Sequence, residues 1–173
     1  MALVLLTSGE QVNASDYKLE HVWETVCAET RLDPDVIGAT VQTFAKVKGV
    51  GLQEAPLPMI QLASPGGVKG WALGTQSNAF MVVYGEREAN GRTSRSCTVS
   101  EMKSSLEGVK EFIETRYETQ LIGSEPSGSS DVYMYKIDLI GFSGDAYVTI
   151  QHALGGQGDP AMNMTAVSLF DMK

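Results

Sequence analysis

The chain has 173 residues, 43 % apolar and 20 % charged, and carries a formal net charge of −8. That size and apolar share give one domain with a self-sufficient core and exclude a disordered chain. The acidic balance disfavours nucleic acid and anionic lipid, permits a basic protein partner, and leaves no stretch near the ~20 apolar residues of a membrane span.

Met1–Leu6 is apolar, and Val12 and Ala14 sit three and one residues before a possible signal-peptidase cut after Ala14. The run is short for a leader and lacks a basic start. Residues 1–14 therefore read either as the end of a truncated signal peptide or as an N-terminal strand at Leu3–Leu6. The single domain then covers residues 15–173.

Ser15 can cap a first helix over Asp16–Thr30, with Leu19, Val22, Trp23, Val26 and Cys27 inward. Asp33-Pro34 starts a second helix running to Lys48, with Ile37, Val41, Phe44 and Ala45 on one face and Gly49 ending it. Leu52–Pro58 reads as linker. Met59–Ala63 and Lys69–Leu73 read as short strands around the turn-forming Ser64-Pro65-Gly66-Gly67. Ala79–Glu86 and Arg92–Val99 form a hairpin about Asn90-Gly91, the pair suited to positive φ angles. A third helix follows, with Ser104 and Glu107 spaced as a capping box and a stripe at Leu106, Val109, Ile113 and Tyr117. Thr119–Ile122 is a short strand or a tail to that helix, and Gly123–Asp131 a loop. Three strands close the chain, at Val132–Ile140, Ala146–Ala153 and Met164–Phe170.

This order predicts an α+β fold, an antiparallel sheet with two or three helices packed on one face. A sparse echo between residues 33–100 and 104–171 (Val41 and Phe44 against Val109 and Phe112) suggests a tandem αβββ duplication.

No residue set carries a catalytic signature. His152 ends a strand beside Gly155–Asp159, where a base could be displayed, but nothing in the spacing gathers Cys97, His152 and Asp145. His152 reads as a strand-end residue facing water, and His21 as solvent-facing. Ser64–Gly70 lacks the spacing and following helix of a phosphate cradle. No Cys-x-x-Cys or Cys/His cluster suggests zinc, and no cofactor or metal is expected. Cys27 and Cys97 read as one disulfide in an exported protein, closing a long loop, or as ordinary buried thiols in the cytosol. The candidate binding residues are aromatic and basic. Core packing is the default for the strand aromatics Trp71, Phe80, Tyr84, Tyr133, Tyr135 and Tyr147. On a sheet face left open some of them would line a groove, with Trp71, Tyr84, Tyr133 and Tyr135 the candidates. Arg87, Arg92 and Arg95 cluster around the hairpin tip.

Cys27 closing a helix, Gly67-x-x-Gly70-Trp71 opening a strand, and Arg95-Ser96-Cys97-Thr98-Val99 together resemble small exported bacterial proteins of uncharacterised function. The likeness spans Trp23 to Val99. It implies secretion and one disulfide, and no activity. The resulting expectation is a periplasmic or secreted, non-enzymatic protein that binds a protein or small ligand through the sheet face or hairpin tip. Two rivals are a cytosolic acidic immunity-type inhibitor of a basic partner, and a small hydrolase or thiol enzyme using Cys97 or His152.

Overall fold

The computed structural model describes residues 17–64, 66–74, 79–89, 91–127, 129–142, 144–154 and 163–172. Residues 1–14, the Ser15 cap, Asn90 and the Gly155–Asp159 loop lie outside the described residues. Within them the chain is α+β and sheet-rich. Eight strands form one antiparallel sheet: β1 (Gly51–Glu54), β2 (Gly67–Gly74), β3 (Ala79–Ala89), β4 (Arg92–Met102), β5 (Thr119–Ser127), β6 (Ser130–Ile137), β7 (Asp145–Ala153) and β8 (Met164–Met172). They lie in the order β1-β2-β3-β4-β8-β7-β6-β5. Two four-stranded meanders thus meet at the β4–β8 pair.

The described helices are α1 (Leu19–Trp23), α2 (Pro34–Lys48), α3 (Leu57–Ala63) and α4 (Leu106–Arg116). A π-helical turn, Glu24–Ala28, continues α1. The Thr30 hydroxyl closes this wider turn by donating to the Val26 carbonyl at 2.7 Å. The Asp33 carboxylate caps α2 by accepting the backbone N–H groups of Asp35 and Val36 at 3.0 and 3.1 Å. Gly49, at φ 65°, ends that helix in the left-handed conformation that glycine tolerates best. The cap of α4 is Ser105, whose hydroxyl accepts from Gly108 N–H at 3.2 Å. The expected Ser104 cap is displaced by one residue. Lys103 turns the chain at φ 69°, and the Ser104 hydroxyl donates instead to the Glu101 carboxylate.

Strand alternation sorts the side chains onto two faces. One face carries Trp71, Leu73, Phe80, Val82, Tyr84, Cys97, Val99, Val148, Ile150, Val167 and Leu169, all in the main core. Leu19, Val22, Trp23, Val26 and Cys27 from the first helix cover it with Ile37 and Val41 of α2 and Val109 and Ile113 of α4. The expectation of two or three helices on one face therefore holds for α1, α2 and α4, and a fourth helix corrects it. Helix α3 packs on the other face, where Ile60 meets Val83.

Helix α3 occupies the segment expected to be the strand Met59–Ala63. Pro58 falls in its first turn, where a missing N–H costs nothing. No ladder position is open to this segment either, because β2 is already paired with β1 on one side and β3 on the other. That pairing also turns part of the expected Leu52–Pro58 linker into β1. Gly67 and Gly70 let Ile60 approach, since a Cβ on Gly70 would stand 2.8 Å from Ile60 Cγ1 and 3.2 Å from the Val82 carbonyl oxygen. Gly70→Val is expected to lower the unfolding free energy in urea by about 1–3 kcal/mol through this overpacking.

The Gly123–Asp131 loop is also corrected, because β5 continues to Ser127 and β6 begins at Ser130. Strand β5 is an edge strand with exposed residues from Gln120 to Pro126, so it needs no apolar periodicity. Its Pro126 and a register shift between Leu121 and Gly123 are features that discourage further pairing at a free edge.

Candidate functional site

Cys27 and Cys97 form a disulfide with a Cα–Cα distance of 5.4 Å, joining the π-helical turn to β4. Both residues are fully buried. A bonded Cys97 has no thiolate to offer as a nucleophile. The Cys97–His152–Asp145 arrangement is not assembled. Asp145 opens β7 and binds Lys136 at 2.6 Å, whereas His152 lies near the far end of the same strand on its other face. The expected solvent-facing His152 is buried. Its Nδ1 lies 2.9 Å from the Thr165 hydroxyl, which donates to the Ser104 carbonyl at 3.2 Å. That donation leaves the hydroxyl oxygen to accept from an Nδ1–H.

The aromatic residues expected on an open face lie beneath the helices. Trp71 is buried next to Gly38 of α2, with the Lys69 ammonium 5.4 Å from its ring centroid. Tyr135 is buried and donates to the Glu114 carboxylate at 2.7 Å, while Tyr133 lies under Lys110 of α4 at 4.3 Å. Tyr84 is a core residue whose hydroxyl donates to Glu86 at 3.3 Å. The pattern allowed either face. Placing α1, α2 and α4 over these positions decides the matter, because a buried aromatic removes more apolar area from water than the small alternatives do.

The three arginines are not one patch either. Register puts Arg95 opposite Glu86, with which it pairs at 3.3 Å on the helix-covered face. Arg87 and Arg92 fall on the opposite face of the hairpin, opposite Ser94 and Ala89 respectively.

Burial, then the Glu86 carboxylate, pushes the Tyr84 phenol up to about 12. Tyr117 and Tyr135 shift upward for the same leading reason. A phenol that stays neutral longer in the folded state than in the unfolded chain (ordinary value about 10) stabilises fully below pH ~10. That contribution is lost as pH rises through 12. Denaturant titrations are expected to show stability falling across this window, less steeply in Tyr84→Phe.

The uncovered sheet face carries small hydroxyl residues, and of the strand aromatics considered it carries Tyr147. Thr98 donates to or accepts from Ser168 at 2.8 Å, and Thr149 stands next in the same cross-strand row. The neighbouring row holds Ser96, Phe170, Tyr147 and Lys136, with the Tyr147 and Phe170 rings stacked at 5.6 Å. Helix α3 packs chiefly on β2 and β3, to one side of these rows, in which Thr98 is buried and Thr149, Ser168, Tyr147 and Phe170 are half-buried. At its border α3 exposes Leu57, Met59 and Leu62, the last 87 % accessible. Small hydroxyl side chains with even spacing give no strong period, which is why this face was hard to see.

Among the described residues there is no His, Cys, Asp and Glu group arranged to hold a metal ion. Among the described residues no helix is long and apolar enough to cross a membrane. The chain matches no protein-family model, no curated protein and no solved structure.

Proposed function

We propose that this chain is an exported, non-enzymatic protein that binds a protein partner through the sheet face opposite α1, α2 and α4. The observation that carries the reading is the pairing of that hydroxyl-lined face with the exposed apolar ridge of α3, Leu57, Met59 and Leu62. A helix of seven residues that buries only Ile60 and presents three large apolar side chains to water is costly unless something covers it. The intramolecular disulfide fits an oxidising, extracytoplasmic setting and supports the export half of the reading. The hairpin tip is the weaker choice, because its arginines divide between two faces.

The strand order supports a tandem origin for the fold. Each half holds a helix and four strands in meander order, α2 with β1–β4 and α4 with β5–β8, one strand more than the αβββ unit read from the sequence, and the first half has α3 inserted between β1 and β2.

Site-specific photo-crosslinking in the native source tests the binding face. A crosslinker at Thr149, on the uncovered face, is expected to give a discrete protein adduct that Leu62→Asp abolishes. The same group at Glu111, on the exposed side of α4, is expected to give none. Equal adducts at both positions, or an adduct at Glu111 alone, would contradict the reading.

A further inference from the structure

A recess lies between the π-helical turn, the end of α4 and the turn that follows β6. It encloses about 580 Å³, and its lining includes Glu24, Arg31, Tyr117, Asp138 and Ile140. That volume suits a small molecule. We propose that this cleft binds a small zwitterion with an aliphatic body, a free amino acid or a short peptide.

One wall is anchored covalently. The π-helical turn is tied to β4 by the disulfide, and Thr30 closes its carbonyls. Arg31 and Leu32 then adopt consecutive left-handed conformations at φ 55° and 58°, with Leu32 buried and Arg31 exposed. The Arg31 guanidinium lies against the backbone of Gly141, where a Cβ would stand 2.5 Å from its Cζ and 2.7 Å from an Nη. Gly141 itself sits at φ 89° in the turn closed by the Phe142 N–H donating to the Leu139 carbonyl at 3.1 Å. The positive φ is what favours glycine there, and the absent Cβ leaves room for the Arg31 guanidinium beside the backbone.

Charge selects the ligand. Arg116 Nε and the Tyr117 hydroxyl both donate to Glu24, at 2.6 and 3.2 Å, and this set is internally neutralised. Arg31 makes no ion pair or side-chain hydrogen bond among the described residues, and neither do the carboxylates of Glu29, Glu118 and Asp138 in the same cleft. A simple anion would meet those carboxylates, and a simple cation would meet Arg31. A ligand carrying both charges answers both, with its carboxylate on the guanidinium fork and its ammonium toward the acids. The aliphatic body would cover Leu139 and Ile140, the latter 88 % accessible.

Isothermal calorimetry on the full chain tests this with L-leucine and leucyl-leucine. The controls are 3-methylbutylamine, which lacks the carboxylate, and 4-methylpentanoate, which lacks the ammonium. Binding with a dissociation constant of about 1 mM or tighter is expected for a zwitterion and not for either control. Arg31→Gln, an exposed change whose fold is checked by circular dichroism, is expected to weaken it roughly tenfold or more. Asp138→Asn is expected to weaken it less. Three results overturn the proposal: no binding by either zwitterion, equal binding of the amine, or zwitterion binding that Arg31→Gln leaves unchanged.

Discussion

The double substitution Cys27→Ala with Cys97→Ala is expected to lower the unfolding free energy by about 4 kcal/mol. The bond spans a sequence separation of 70 residues. Opening a loop of that length restores to the unfolded chain most of the conformational freedom that a crosslink can remove. The effect is large against the ~5–15 kcal/mol that holds an ordinary domain together. It also has a local component, because the bond pins the π-helical turn to β4 beneath the first helix. Urea unfolding followed by far-ultraviolet circular dichroism measures the loss. A change under about 1 kcal/mol would mean that the crosslink adds little to a fold already held by its sheet.

Trp23→Ala is expected to cost about 3–5 kcal/mol, the range for deleting a buried aromatic side chain. Trp23 has no accessible surface, sits on the helix one turn before Cys27, and meets the Tyr117 ring edge-on at 5.9 Å. Its removal takes packing from both the first helix and the end of α4. Among the described residues the buried indole Nε1–H has no hydrogen-bond partner. Trp23→Phe therefore removes an orphaned donor as well as volume, and the two effects oppose each other. The expected cost of Trp23→Phe is less than half that of Trp23→Ala in the same urea assay. Equal costs would show that the indole N–H contributes a favourable interaction.

Much of the helix-covered side was legible from residue spacing. Asp33-Pro34 and Gly49 delimit α2 as they should, and the stripe from Leu19 to Cys27 turns inward along its whole length. The hairpin of β3 and β4 was readable because an aromatic and β-branched run, Phe80 to Tyr84, precedes Asn90-Gly91 in the sequence. The segment Met59–Ala63 was not readable. Five mostly apolar residues cannot distinguish a buried strand from one helical turn and a half, and only Pro58 hinted at the answer. Strand β5 failed for the opposite reason, since an exposed edge of Gly, Ser, Glu and Pro carries no pattern. Tyr133 and Tyr135 share a face that sequence leaves unnamed, so their burial was not readable from spacing. The position of α4 decides it. Arg31 gave no signal at all, because the backbone it lies against is that of Gly141, 110 positions away.

The central claim is an exported binding domain closed by one disulfide, and the most direct test is the intact mass of the protein from its native source. The denatured chain is treated with an alkylating reagent before and after reduction. The account predicts a chain beginning at Ser15 that takes up no label before reduction and two labels after it. A full-length chain with two thiols that label without reduction would contradict export and the Cys27–Cys97 bond together. The search for a partner would then move to basic proteins of the cytosol.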